Sequence, residues 1–293
     1  MKPPPFDFVR AETADHALDL LQSHGDDAKL LAGGQSLMPL LNYRLARPSI
    51  LIDINKVPNM ADITVDTTSG HVCVGGLTRH HRLETSATLR THFPLIGEAA
   101  SWIAHPQIRT RGTIGGSLAH CDASAEIPVV MLALDATVKI RTHTSERTLP
   151  IEDLVVGHFI SSLDWNEMIT GVDIPLLPEG TGTAFTEFAR RHGDYAIGGA
   201  AAVITLDGNG TCTRARITVL GGGTTTLRCT DIENALLGNT LDTTLVNTAA
   251  HDGVGHLTPT SNLHGDSDYK RRVIASMIER AINTATDRAR SAR

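Results

Sequence analysis

Two short stretches combine paired glycines with hydroxyl side chains: Ala32-Gly33-Gly34-Gln35-Ser36, running on into Leu37, and Thr113-Ile114-Gly115-Gly116-Ser117. Paired glycines let a backbone come close to a ligand and aim successive N–H groups at one point, a nest suited to a diphosphate. The first stretch also opens an expected helix, whose N-terminal amides favour negative charge. Neither stretch is a GxGxxG or a GxxxxGK(S/T), so neither a Rossmann dinucleotide site nor a P-loop is read from them. A single Gly-Gly turn between strand and helix is usually only a turn, and the spacing of the two adds no proof.

The elements that must carry these loops follow from periodicity. Ala14 to Leu21 has the apolar spacing of a surface helix. Ala28 to Ala32 reads as a strand, Gly33-Gly34-Gln35 as a tight turn and Ser36 as the N-cap of a helix from Leu37 to Leu45 that Pro48 stops. A buried strand follows at Ser49 to Ile54. Beyond residue 57 come strand pairs such as His71 to Gly76, a helix near Leu95 to Ala104, the second glycine turn, an apolar helix around Pro128 to Leu134 and a strand at Thr137 to Thr142. Leu176 to Thr183 is turn-rich and gives the best boundary. After it we expect strands at Ala200 to Leu206 and Ala215 to Leu220, a helix at Asp231 to Leu237 and a last helix from Ser267, an α+β arrangement.

Composition limits the function. Hydrophobic residues at 41% and charged residues at 20% fit a folded globular chain, and a formal net charge of -6 gives no reason to expect nucleic acid or an anionic membrane as ligand. The N-terminus lacks a secretory apolar stretch and no apolar run is long enough for a transmembrane segment, so the expected location is cytoplasmic. Cys73, Cys121, Cys212 and Cys229 are scattered, without a CxxC pair, and suggest neither zinc nor an iron–sulfur cluster. His251, His256 and His264, with Asp252, Asp266 and Asp268, are too irregularly spaced for a metal site. His80-His81, in a strand, would face opposite sides and are assigned to the surface. Arg109 and Arg111 flank the second loop, but turn arginines more often meet solvent or brace a carboxylate. Trp102 is assigned to packing. Ser36 and Ser117 lack a general base and read as caps or phosphate donors, so no catalytic residue is assigned. The tail Arg288 to Arg293 is expected to fray.

The stretches LLAGGQSLMPLLNYRLARP and HPQIRTRGTIGGSLAHCDASAEIP resemble the two flavin-binding signatures of the FAD-binding medium subunits of the molybdenum hydroxylase and xanthine dehydrogenase family. RRHGDYAIGGAAA, LGGGTTTLRCTDIENALLG and YKRRVIASMIERAI extend the resemblance over nearly the whole chain. It implies a vanillyl-alcohol-oxidase-like (PCMH-type) FAD-binding fold of two subdomains, residues 1–56 and 57–176, followed by a C-terminal α+β flavoprotein domain, residues 177–293. On that template Ala32, Gly33, Gly34, Gln35, Ser36 and Leu37, with Thr113, Ile114, Gly115, Gly116 and Ser117, cradle the FAD diphosphate. Ile103 lies against the cofactor, Glu126 approaches its ribitol or ribose, Asp122 is a polar neighbour, and Ile169, Glu187 and Tyr195 complete the set, with Tyr195 near the isoalloxazine. Many relatives carry Lys where this chain has Glu187. A cation there would favour the reduced anionic flavin and an acid would oppose it.

The resemblance further implies an electron-transfer oxidoreductase subunit. A small iron–sulfur subunit with two 2Fe-2S clusters would feed it, a large molybdenum-cofactor subunit would oxidise the substrate, and the whole would be a dimer of heterotrimers. A free-standing FAD oxidase of the same fold and a binding module without FAD are the competing readings.

Overall fold

Parallel pairing of three short strands builds the first layer. In the computed structural model of the chain, which describes residues 2–292, strand Ile50–Asp53 lies between Asp7–Arg10 and Ala28–Leu31, parallel to both. All four residues of the central strand are buried, as a strand covered on both faces must be. Helix Ala14–His24 makes the crossover. Thr13 caps it, accepting from the His16 N–H at 3.0 Å. Ala17, Leu18 and Leu21, with Ile50 and Ile52, form a small separate core.

The second layer is a five-stranded antiparallel sheet in the order Ile63–Asp66, His71–Gly75, Met168–Pro175, Thr137–Arg141, Glu146–Pro150. Helices Pro94–Trp102, Ile114–His120 and Glu126–Ala133 contribute to its core around Phe93, Ile96, Ile114 and Met131. The third layer is a four-stranded antiparallel sheet, Thr181–Phe188, Gly198–Leu206, Cys212–Leu220, Leu227–Arg228. Strand Gly198–Leu206 is buried along its whole length because helix Ser267–Ser291 covers one face and the second layer covers the other. Its run of Gly and Ala lets both neighbours come close. Arg214 and Arg216 meet Asp135 at 2.7 and 3.0 Å, Thr218 Oγ1 donates to the Val129 carbonyl at 2.8 Å, and Gly221 N donates to the Ala123 carbonyl at 3.1 Å, so the third layer is tied to the second.

Several expectations change. The helix expected to reach Leu45 ends at Asn42, Arg44 has a left-handed φ of 58°, and Ser36 makes no side-chain cap. Only Leu41 of its apolar stripe is buried. The second glycine stretch is the first turn of helix Ile114–His120, with Thr113 as a true N-cap. His80 and His81 start helix Arg79-capped His80–Thr85, and His80 is buried. The C-terminal helix runs to Ser291 where fraying was expected. Arg288 bonds Glu98 and the Thr183 carbonyl, each at 2.6 Å, and Arg290 reaches the Leu241 carbonyl at 2.8 Å; Arg293 lies outside the described residues. Strands Met168–Pro175 and Thr181–Phe188 and helix Thr243–Asp252 were not anticipated.

The contact between the C-terminal helix and its sheet depends on Gly182, where an added Cβ would sit 3.0 Å from the Ala285 carbonyl carbon and closer still to its oxygen. Gly182→Ala should therefore lower stability by about 2 kcal/mol, as an overpacked contact against rigid backbone does. Gly208→Ala, with open space around it, should stay within about 0.5 kcal/mol of wild type. Urea midpoints of the two variants test the difference, and equal midpoints would remove the assigned role of Gly182.

Candidate flavin site

A cavity of about 640 Å³ opens where the two glycine stretches meet, within the size range of cofactor sites. Their meeting is a backbone contact. A Cβ on Gly33 would lie 2.8 Å from Gly112 Cα and press on the Arg111 carbonyl. Gly115 is held in the same way: its N–H donates to the Gly76 carbonyl at 2.9 Å, and a Cβ would come within 2.7 Å of that oxygen. Gly34 takes a left-handed φ of 74°, which turns the chain into the following helix.

Polar side chains lock the arrangement. Asn55 Nδ2 donates to the Leu31 and Ala32 carbonyls at 3.1 and 2.7 Å, and its Oδ1 accepts from Arg79 Nη2 at 2.7 Å. Arg79 Nη1 in turn donates to the Arg111 carbonyl, so one guanidinium bridges the supports of both loops. His80 adds two bonds to the second loop, from its backbone N–H to the Gly112 carbonyl at 3.0 Å and from ring Nε2 to the Thr113 carbonyl at 3.1 Å. With Nε2 as donor, Nδ1 carries the lone pair, and it is buried without a partner. Burial, opposed only by the Thr113 bond and aided by Arg79 and Arg109, lowers the His80 pKa to about 4. Arg109 braces Glu84 at 2.9 Å and the Ile103 carbonyl at 3.0 Å, the structural role expected of it.

The two loops do not offer the same chemistry. In the second, the N–H groups of Ile114, Gly115, Gly116 and Ser117 are bonded to Thr78 O, Gly76 O, Thr113 Oγ1 and Thr113 O. In the first, the N–H groups of Gly33, Gly34, Gln35, Ser36 and Leu37 have no acceptor among the described residues. The anion nest is therefore the first loop, while the second contributes Thr113, Gly116 and Ser117 to the lining. Five free amides in succession, with Lys29 as the only lysine or arginine in the lining, fit the diphosphate of FAD. The broad apolar wall of Leu30, Leu37, Leu40, Ile103 and Ile108 fits its rings.

Of the expected site residues, Ala32 to Leu37, Ile103, Thr113, Gly116, Ser117, Asp122, Glu126 and Tyr195 line this cavity. Ile114, Gly115, Ile169 and Glu187 do not. Ile114 is fully buried in the core, Gly115 is pressed on Gly76, and Ile169 packs in the core while its carbonyl backs Gly76, where a Cβ would approach to 2.6 Å. Glu187 is buried behind the wall, 7% exposed. Asp122 shapes its loop by accepting from Ser124 N at 2.9 Å. Gly193, with a φ of 91° and a close approach to the His105 ring, leads Tyr195, which is exposed, into the cavity lining, while His192 rests on Trp102 with ring centroids 4.9 Å apart. Trp102 is thus partly buried packing.

Sequence reasoning missed His80, and also His120 and Phe159, which stack with centroids 4.7 Å apart on the cavity rim. His80 reaches the site through the long-range bridge between Arg79 and Thr113 and Phe159 through its N–H bond to the Cys121 carbonyl, whereas His120 ends the helix that the second glycine stretch opens. Among the described residues no histidine, cysteine and acid group forms a metal cluster, and no helix is long and apolar enough to cross a membrane.

Known proteins agree with this geometry. Residues 4–177 match the FAD binding domain in molybdopterin dehydrogenase, and residues 183–285 match the CO dehydrogenase flavoprotein C-terminal domain. The chain is 54% identical to the 6-hydroxypseudooxynicotine dehydrogenase complex subunit alpha of Paenarthrobacter nicotinovorans over 99% of this chain and 97% of that one. It is 35% identical to the carbon monoxide dehydrogenase medium chain of Hydrogenophaga pseudoflava over 97% and 98%. Among solved structures, carbon monoxide dehydrogenase from Hydrogenophaga pseudoflava superposes with a TM-score of 0.94 at 36% identity, covering 98% of this chain and 99% of that one. Quinoline 2-oxidoreductase from Pseudomonas putida 86 superposes with 0.93 at 34% identity, covering 99% of each. A cavity built on two glycine stretches, carried by both matched domains from end to end, makes this chain a member of the FAD-binding medium subunits of the molybdenum hydroxylase and xanthine dehydrogenase family, an oxidoreductase subunit.

Proposed function

We propose that this chain is the electron-transfer link of a cytoplasmic, heteromeric molybdenum hydroxylase. It takes electrons from the 2Fe-2S clusters of a small partner subunit and passes them to an external acceptor. The organic substrate is oxidised on a large molybdenum-cofactor subunit, and the assembly is a dimer of heterotrimers. The carrying observation is the row of unbonded amides from Gly33 to Leu37 facing a cavity wide enough for a flavin nucleotide. Bound FAD supplies the redox chemistry, since it can accept electrons singly and release them as a pair.

The chain's own residues bind and orient. Gly33 to Leu37 and the Ser117 hydroxyl hold the diphosphate, Ile103 and Leu37 give the apolar wall, Asp122 and Glu126 meet the ribitol or ribose, and Tyr195 covers the isoalloxazine end. Residues 1–56 and 57–176 act as two halves of the flavin domain, and 177–293 as the buttress that backs Glu126. Relatives named for carbon monoxide and for quinoline share this fold at TM-scores of 0.94 and 0.93, which supports placing substrate choice outside this chain.

Purification from the native operon, with a visible spectrum and metal analysis, tests the reading. A yellow chain co-purifying with molybdenum and iron is expected, whereas a chain that stays colourless with added FAD, or that turns over a substrate alone, would defeat it. Gly33→Val should abolish FAD retention by prising the loops apart. Asn55→Ala, which removes the bonds to Leu31 and Ala32, should weaken FAD binding by about 1–2 kcal/mol, roughly tenfold, in a fluorescence titration.

Acid should loosen the second loop through His80. Its folded pKa of about 4 lies below the unfolded value, so its contribution to stability is complete above about pH 6.5 and is lost as pH falls through the folded value, by up to about 3 kcal/mol. Melting curves of wild type and His80→Gln across that window should diverge most at neutral pH and converge in acid. Parallel curves would show that His80 does not titrate in this way.

A further inference from the structure

Glu187 lies on strand Thr181–Phe188, whose neighbours face alternate ways. Ala184 packs with the C-terminal helix and Thr186 Oγ1 donates to the Met277 carbonyl at 2.8 Å, while Phe185 joins the core of the flavin layer. Glu187 has the parity of Phe185, so its carboxyl points at the wall behind the cavity. Both of its carboxyl oxygens are buried without a hydrogen-bond partner. The charges on the facing elements are used elsewhere. Glu98 of helix Pro94–Trp102 accepts from Phe185 N at 3.1 Å and from Arg288 of the C-terminal helix at 2.6 Å, and strand Gly198–Leu206 carries no charge. Among the described residues, the one charged group that acts on Glu187 is Glu126, at the N-terminus of helix Glu126–Ala133 and in the cavity lining. Asp122 acts on Glu126 in turn, and both act on Tyr195 in the same lining.

An unpaired carboxylate buried in this way would cost several kcal/mol, and a neutral acid much less. We propose that Glu187, a neutral acid buried behind the inner wall of the flavin cavity, and Glu126, on that wall, form a coupled carboxyl pair that retains one proton. The proposal rests on the FAD reading above. Burial and then the Glu126 charge push Glu187 up to about 9. Burial and then Asp122 push Glu126 up to about 7, against the pull of its own amide. On raising the pH, Glu126 ionises first beside a neutral Glu187, and Glu187 follows against that charge. When negative charge enters the cavity, Glu126 takes a proton from solvent, and no electron or bond of the pair is involved.

Infrared titration of the full chain from about pH 6 to about pH 10 reads the pair directly. Two losses of protonated-carboxyl C=O absorption are expected, one near 7 and one near 9. Glu187→Gln should remove the upper step and leave the lower, while Glu126→Gln should remove the lower and bring the upper to lower pH. Glu187→Lys should carry the Glu126 step below neutrality. Both pKa values are raised on folding, so the stability these acids contribute is complete below about pH 4.3 and is lost as pH rises through the folded values. Melting temperatures of wild type should accordingly fall from about pH 5 to about pH 9, and those of Glu187→Gln should fall less. With FAD bound, the pH dependence of the flavin potential should bend near 7 in wild type and not in Glu126→Gln. A chain that will not take up added FAD yet shows both infrared steps would sink the flavin reading and keep the pair. Glu187 ionised at pH 6, or an infrared titration identical in Glu187→Gln, would overturn the pair itself.

Discussion

Everything at the site depends on two backbones touching where a side chain would keep them apart. Gly33 rests on Arg111 and Gly112, and Gly115 rests on Gly76. No hydrophobic burial could replace these contacts, because even one methyl at either point meets rigid carbonyls. Their consequence is a division of labour. The second loop is spent on docking, with its amides bonded inside the chain, and the first loop keeps five amides free. One loop is the frame and the other is the nest.

The frame needs its own support, and this comes from polar groups of ordinary strength arranged in series. Asn55 holds the carbonyls before Gly33, Arg79 joins Asn55 to Arg111, and His80 holds Gly112 and Thr113. Each bond alone contributes about 1 kcal/mol net. In series they fix the relative position of two loops that belong to different sheets. The third layer completes the support from behind, since Thr218, Gly221 and the Arg214–Asp135–Arg216 cluster press it against the segment that carries Asp122 and Glu126.

Much of this was legible in the sequence, and the losses have physical reasons. The glycine loops, helix Ala14–His24 and the buried strand Ile50–Asp53 follow from local pattern: paired glycines, the apolar spacing of Ala17, Leu18 and Leu21, and the apolar run Ile50-Leu51-Ile52. The surface assignment of His80 follows from placing His80-His81 in a strand, whereas they open a helix, and the antiparallel bridge between Arg79 and Thr113 beside it joins distant segments. The tail Arg288–Ala289–Arg290 looks frayed by composition, but Ala289 is fully buried and both arginines find carbonyls or acids on other elements. Leu37 and Leu40 satisfy the helical stripe, yet they line the cavity, so the pattern is right and the surface it covers is the cavity wall.

The cavity lining carries both donors and acids. Free amides and Lys29 belong to the first loop and the strand before it, and Asp122, Glu126 and Asp194 are the acids of the lining. A diphosphate at the nest is drawn by short-range dipoles, whereas negative charge developing beside those acids would meet carboxylates if all were ionised. An ionised Glu187 would add to that repulsion. Its burial removes the difficulty, because the same lack of partners that makes the charge costly keeps the proton on. Against the lysine that the sequence resemblance implies for many relatives, Glu187 then differs less in charge than in chemical type: a neutral group stands where that cation would, and the titration passes to Glu126, the residue in the cavity lining.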